Sequence, residues 1–177
     1  MISHRLLTTL AGIAFLSGCA APRKPEAAPL PVPRPSPVAT AVPEPAPADW
    51  RDAALTPGTW SYQPGTSGSS AGFGADTAAP MLTLRCERAT QRIALLRAGA
   101  APGPLPLTIT TSTLTRAFTA TPEAAPTPQL YLMFGPRDPV LDAMAFSRGR
   151  FVIEVAGLPT LYLPTWPEVG RLIEDCR

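Results

Sequence analysis

The sequence predicts an α+β, mainly β domain: an antiparallel sheet or small sandwich with two short helices, the last at the C-terminus. Three observations carry that expectation. Past Asp49 the apolar residues fall in short alternating runs separated by turn residues, the pattern of half-buried strands. Two stretches near the end repeat apolar residues at helical spacing instead. Strands and helices do not alternate as βαβ units, which argues against a parallel sheet.

Trp60 to Gln63 is the first expected strand. Thr66 to Gly74, rich in Gly and Ser, reads as a loop with a short strand near Phe73. In Met81 to Glu87, Leu82, Leu84 and Cys86 share one face and Thr83, Arg85 and Glu87 the other. Arg92 to Ala98 is its expected hairpin partner, and Leu107 to Thr119 is dense in strand-favouring Thr and Ile. Leu130 to Phe134 follows. Asp138 with Pro139 after it starts a helix striped by Val140, Leu141, Met144 and Ala145, and Gly149 follows its end. Phe151 to Val155 and Thr160 to Leu163 form a hairpin around Gly157. Thr165 and Glu168 have capping-box spacing ahead of a last helix striped by Val169, Leu172, Ile173 and Cys176.

The front of the 177-residue chain is built differently. His4 and Arg5 precede an apolar run, Leu6 to Leu16, of signal-core length. That run is too short to span a bilayer, which needs about 20 residues. Leu16-Ser17-Gly18-Cys19 then resembles the lipobox of bacterial lipoproteins. The resemblance implies cleavage before Cys19, a diacylglycerol on its sulfur and an acyl chain such as palmitate on its amine. It also implies the outer membrane, facing the periplasm, because Ala20 rather than Asp follows. From Pro22 to Ala48 Pro, Ala and Val dominate, so neither helix nor sheet propagates. An extended tether is expected, reaching at most about 80 Å at ~3.1 Å per residue. The expected organisation is therefore 1–18 signal peptide, 19–48 lipidated cysteine and tether, and 49–177 a single periplasmic domain. Two full domains are excluded by length.

Cys86 and Cys176 are an even pair in an oxidising compartment. Each lies on the apolar face of its expected element, so a disulfide stapling the last helix to the sheet is expected. Two thiols without histidine make a poor zinc site.

Net charge is +2, which does not suggest a nucleic-acid binder. The single histidine, His4, lies in the signal, leaving the mature chain without the usual general base. Gly68-Ser69-Ser70-Ala71-Gly72 matches the Gly-x-Ser-x-Gly pattern of serine hydrolases, but it lacks the strand–turn–helix context and the partner base. Lys24, the only lysine, falls in the tether. Asp138, Asp142 and Glu154 share a region, with a cap and an early-turn charge as the simpler role for the first two. No enzyme and no cofactor are expected. Arg85, Arg88, Arg92 and Arg97 sit on one expected hairpin and are the candidate anion-binding group, since guanidinium forks suit phosphate and carboxylate. Trp50, Trp60, Tyr62 and Trp166 are expected to pack.

The ending Ala145-Phe146-Ser147-Arg148-Gly149-Arg150-Phe151, a hairpin, then Ile173-Glu174-Asp175-Cys176 resembles uncharacterised lipoproteins of alphaproteobacterial type over residues 50–177. More loosely, a small β domain with paired cysteines behind a lipid anchor resembles lipoprotein lysozyme inhibitors, without their Ser-Gly-x-x-Tyr-type loop. The expected function is a non-catalytic envelope lipoprotein presenting its domain to an envelope protein or peptidoglycan. The alternative is a small inhibitor or ligand-binding lipoprotein of the lysozyme-inhibitor kind.

Overall fold

Alternation along the chain becomes a single nine-stranded antiparallel sheet in the computed structural model, which describes residues 49–124 and 126–177. The expected signal peptide, Cys19 and the expected tether lie outside the described residues. The strands are β1 (Thr59–Gln63), β2 (Ser70–Gly74), β3 (Leu82–Glu87), β4 (Arg92–Ala98), β5 (Leu105–Thr110), β6 (Thr115–Glu123), β7 (Gln129–Phe134), β8 (Arg150–Val155) and β9 (Leu161–Pro164). Helix α1 (Pro139–Ala145) precedes β8, and α2 (Pro167–Asp175) follows β9. The spatial order is β1-β2-β3-β4-β7-β6-β5-β8-β9.

Two strands depart from the sequence reading. The Gly/Ser-rich stretch holds a full strand, β2, because Ala71 and Phe73 turn inward and are wholly buried. The Thr-rich stretch is two strands, not one. It folds back at Thr111, whose hydroxyl accepts from Leu114 N–H at 2.9 Å and from Thr113 N–H at 3.3 Å. This side-chain turn replaces Gly or Pro chemistry.

The sheet bends within β6. Its first part pairs with β5 as far as Ala120↔Leu105, and Thr121–Glu123 pairs with β7. The bend lets the sheet close on itself. Thr56, just before β1, donates its N–H to Tyr162 O at 2.9 Å, and its Oγ1 accepts from Tyr162 N–H at 2.9 Å. Trp60 Nε1 then donates to Pro164 O across the same seam at 2.9 Å. Both edges are thereby partly covered, which limits edge-to-edge pairing with other chains.

Inward-facing residues of both halves fill the interior. Phe73, Leu82, Leu84, Ile93, Leu95, Leu107, Ile109, Leu130 and Phe151 are wholly buried, each worth roughly 1.5–3 kcal/mol of transfer free energy. Trp60 packs against Phe73 and Phe151, with ring centroids 5.3 and 6.4 Å apart. It is core.

Both helices cover one end of the sheet. Helix α1 starts as expected: Asp138 Oδ1 accepts from Val140 N–H at 3.0 Å, with Pro139 in the first turn. Helix α2 does not use the expected capping box. Its N-cap is Trp166 and has no side-chain cap bond, while Thr165 Oγ1 and Glu168 Oε2 are buried without partners. Pro167 at the first helical position supplies the fixed φ and lacks the N–H that a cap would satisfy.

Candidate functional site

The covered end is assembled around a disulfide. Leu82, Leu84 and Cys86 face inward on β3. Val169, Leu172 and Ile173 are the buried stripe of α2, and Cys176 caps its C-terminus. The two buried sulfurs are joined, with Cα atoms 5.5 Å apart. Cys86–Cys176 thus fixes α2 over β1, β2 and β3. Arg177 extends the joint, donating to Pro136 O, to Asp142 and to Glu174. It ties the C-terminus to α1.

The four hairpin arginines do not form one group. Register sets Arg97 opposite Leu82 and Arg92 opposite Glu87, at opposite ends of the hairpin. Arg97 also shares its face with Ile93 and Leu95, so it points inward and is only 5 % exposed. Its Nη1 donates to Ala98 O at 2.6 Å and Met81 O at 3.3 Å, and its Nη2 to Pro159 O at 3.0 Å. Nε has no partner. Burial pushes its pKa down from the ordinary value. Arg97 straps the β8–β9 turn to the end of β4. Arg85 is exposed and pairs with Glu87 at 3.2 Å. Arg88, in the turn, donates to Thr66 O, and Arg92 is exposed.

Beside that turn sequence reasoning missed a polar cluster. Tyr62 donates its hydroxyl to Asp175, and the Arg171 guanidinium lies 4.0 Å from the Tyr62 ring centroid. The Tyr62 hydroxyl holds the Asp175 carboxyl below the ordinary range, helped by the Arg171 and Arg88 charges. Helical spacing aligns Arg171 with Asp175, four residues apart. Their partner on β1 is a tertiary fact with no sequence signal.

The Gly-x-Ser-x-Gly stretch has a backbone role. A Cβ on Gly68 (φ +144°) would sit 1.9 Å from Cys86 O, so only glycine lets Ser67–Ser69 lie this close to the end of β3. Cys86 N–H donates to Ser69 O and Arg88 N–H to Ser67 O across this approach. Ser69 is buried, and Ser70 opens a strand rather than a helix. The three carboxylates also separate. Asp138 caps α1 and pairs with Arg116 at 2.9 Å, and Asp142 pairs with Arg177 at 2.6 Å. Glu154 lies opposite Thr108 in the sheet. Among the described residues no three His, Cys, Asp or Glu side chains come together to hold a metal.

No protein-family model, no curated protein and no solved structure matches this chain. The surface itself is therefore the guide. Among the described residues three large apolar side chains are exposed: Leu55, Phe146 at 77 % and Trp166 at 40 %. Trp166 was expected to pack. It is the cap residue of α2 and lies outside the buried stripe of Val169, Leu172 and Ile173. Phe146 and Trp166 flank one joint, where Thr165 N–H donates to Gly149 O and Arg150 pairs with Pro164. Phe146 borders an open groove of about 400 Å³ with Thr113, Leu114, Pro139, Asp142 and Ala143. At the other end of the sheet two apolar clefts, about 260 and 310 Å³, share Pro128 and Gln129.

Proposed function

We infer that the protein is a non-catalytic envelope lipoprotein whose β-rich domain binds a protein or cell-wall partner. The observation that carries this reading is the Cys86–Cys176 disulfide between two buried groups, read beside the Leu16–Cys19 lipobox. Disulfides form and persist in oxidising compartments such as the periplasm, where a lipobox delivers a chain. The polar groups that resembled catalytic parts have structural employment: Ser69 in a close backbone approach, Asp138 as a cap and Asp142 as a tie, and Arg97, expected to bind an anion, straps a turn. Binding would fall to surface features instead. The two clefts around Gln129, lined by Pro80, Leu96, Pro122 and Pro128, suit apolar side chains of a partner. A photoreactive residue in place of Gln129, activated in intact cells, is expected to give one discrete adduct with an envelope protein or with peptidoglycan. Absence of any adduct, with the protein folded and in the envelope, would contradict the reading.

A further inference from the structure

We propose that the helix-covered end docks onto an anionic phospholipid surface, with Phe146 and Trp166 in the interfacial layer and exposed arginines on the headgroups. The proposal rests on the lipid-anchor reading for bringing the domain to a bilayer. Its own support is the surface. Phe146 is the most exposed large apolar side chain among the described residues, at 77 %, and Trp166 shares its joint at 40 %. Exposed apolar side chains grouped on one face mark a contact site, and Trp is the side chain most at home at headgroup depth. Arg148, two residues after Phe146, and Arg137, at the start of α1, are exposed and make no ion pair among the described residues. Arginines free of ion pairs at either end of the segment that bears Phe146 complement anionic headgroups, each by roughly fivefold in binding, and Asp142, the carboxylate lining the Phe146 groove, is neutralised by Arg177.

Chain path agrees. Arg150, at the same joint, donates to Ala53 O. Ala53, among the first described residues of the domain, therefore lies at this end. Docking here would turn the Gln129 clefts, at the opposite end of the strands, away from the bilayer and toward a partner. The joint is braced for such a role. Ser147 Oγ donates to Arg150 O and accepts from Ser112 N–H, while Arg148 N–H donates to Ser112 Oγ at 3.1 Å. Phe146 is thus held outward by a fixed turn.

The test uses the processed, full-length protein in vesicles of phosphatidylethanolamine with a minority of phosphatidylglycerol carrying brominated acyl chains. Flotation reads the anchor, and tryptophan quenching reads the docking. In a Trp50→Phe background, which removes the half-buried tryptophan near Ala53, co-floating protein should lose up to about half of its emission, one tryptophan of the two left. Trp166→Phe should abolish the loss, and Arg148→Ala should lower the docked-to-undocked ratio about fivefold. Oxidised Cys86–Cys176 in each variant shows that the fold is kept. Co-flotation without Trp166-specific quenching would overturn the proposal and leave this end to a protein partner. Failure to co-float would overturn the anchor reading and the docking with it.

Discussion

Asp175 and Arg97 show how two charged side chains reach opposite solutions. Asp175 stays at the surface and is held ionised by the Tyr62 hydroxyl and by Arg171 and Arg88. A carboxyl depressed below its unfolded value of about 3.9 stabilises the fold above that pH, and the contribution is lost as pH falls through the depressed value. Tyr62→Phe should move the Asp175 titration back toward that ordinary value, as read by carboxyl NMR, and should cost less than about 1 kcal/mol at neutral pH because the pair is exposed. An unchanged titration would remove Tyr62 as the cause. Arg97 instead gives up solvent for three carbonyls. In Arg97→Met, Met81 O keeps its bond from Ala98 N–H, but Ala98 O and Pro159 O lose the guanidinium. The expected loss is about 1–3 kcal/mol in urea unfolding; an unchanged midpoint would show that burying the charge costs as much as its bonds return. Arg97's inward position was legible, because it shares strand parity with Ile93 and Leu95. Grouping it with Arg85, Arg88 and Arg92 by proximity in sequence overlooked that parity. The Tyr62–Asp175 pair joins residues 113 positions apart, and no local pattern encodes it.

At the scale of elements, alternation was a good guide wherever side chains are large. Strands β1, β3, β4, β7, β8 and β9 follow from it, and helical spacing with the Asp138–Pro139 start marked both helices. It failed where glycine stands in for a side chain, as in Ser70–Gly74, and where a threonine hydroxyl makes a turn, as at Thr111. Helix α2 illustrates a local signal overridden by a neighbour: Pro167 sets the start, and the Thr165–Glu168 pair is left unused. Nine residues with an internal Gly170 and no side-chain cap make a weak helix alone. Its position depends on packing and on the disulfide. The bridge spans 90 positions, and closing a loop of that length is worth up to about 4–5 kcal/mol through the unfolded chain. Reductant should therefore lower the urea midpoint and raise the m-value, as a less constrained unfolded chain exposes more surface. A midpoint insensitive to reductant would show that the bridge adds nothing to the packed core.

On the scale of the whole molecule, a sheet closed by Thr56–Tyr162 and Trp60–Pro164 bonds leaves two contrasting ends. One carries the helices, the disulfide, Phe146 and Trp166; the other carries the clefts around Gln129. Alternation predicted an antiparallel sheet, but closure arises from one bend within β6 and from the bonds of Thr56 and Trp60 to β9. The central claim, a lipid-anchored envelope domain stapled by its own cysteines, is tested most directly by the intact mass of the protein extracted from cell membranes under non-reducing conditions. The account predicts a chain beginning at Cys19, carrying a diacylglyceryl group and an acyl chain, and lighter by two hydrogens for the Cys86–Cys176 bond. An unlipidated chain, or one with both of those thiols free, would contradict it.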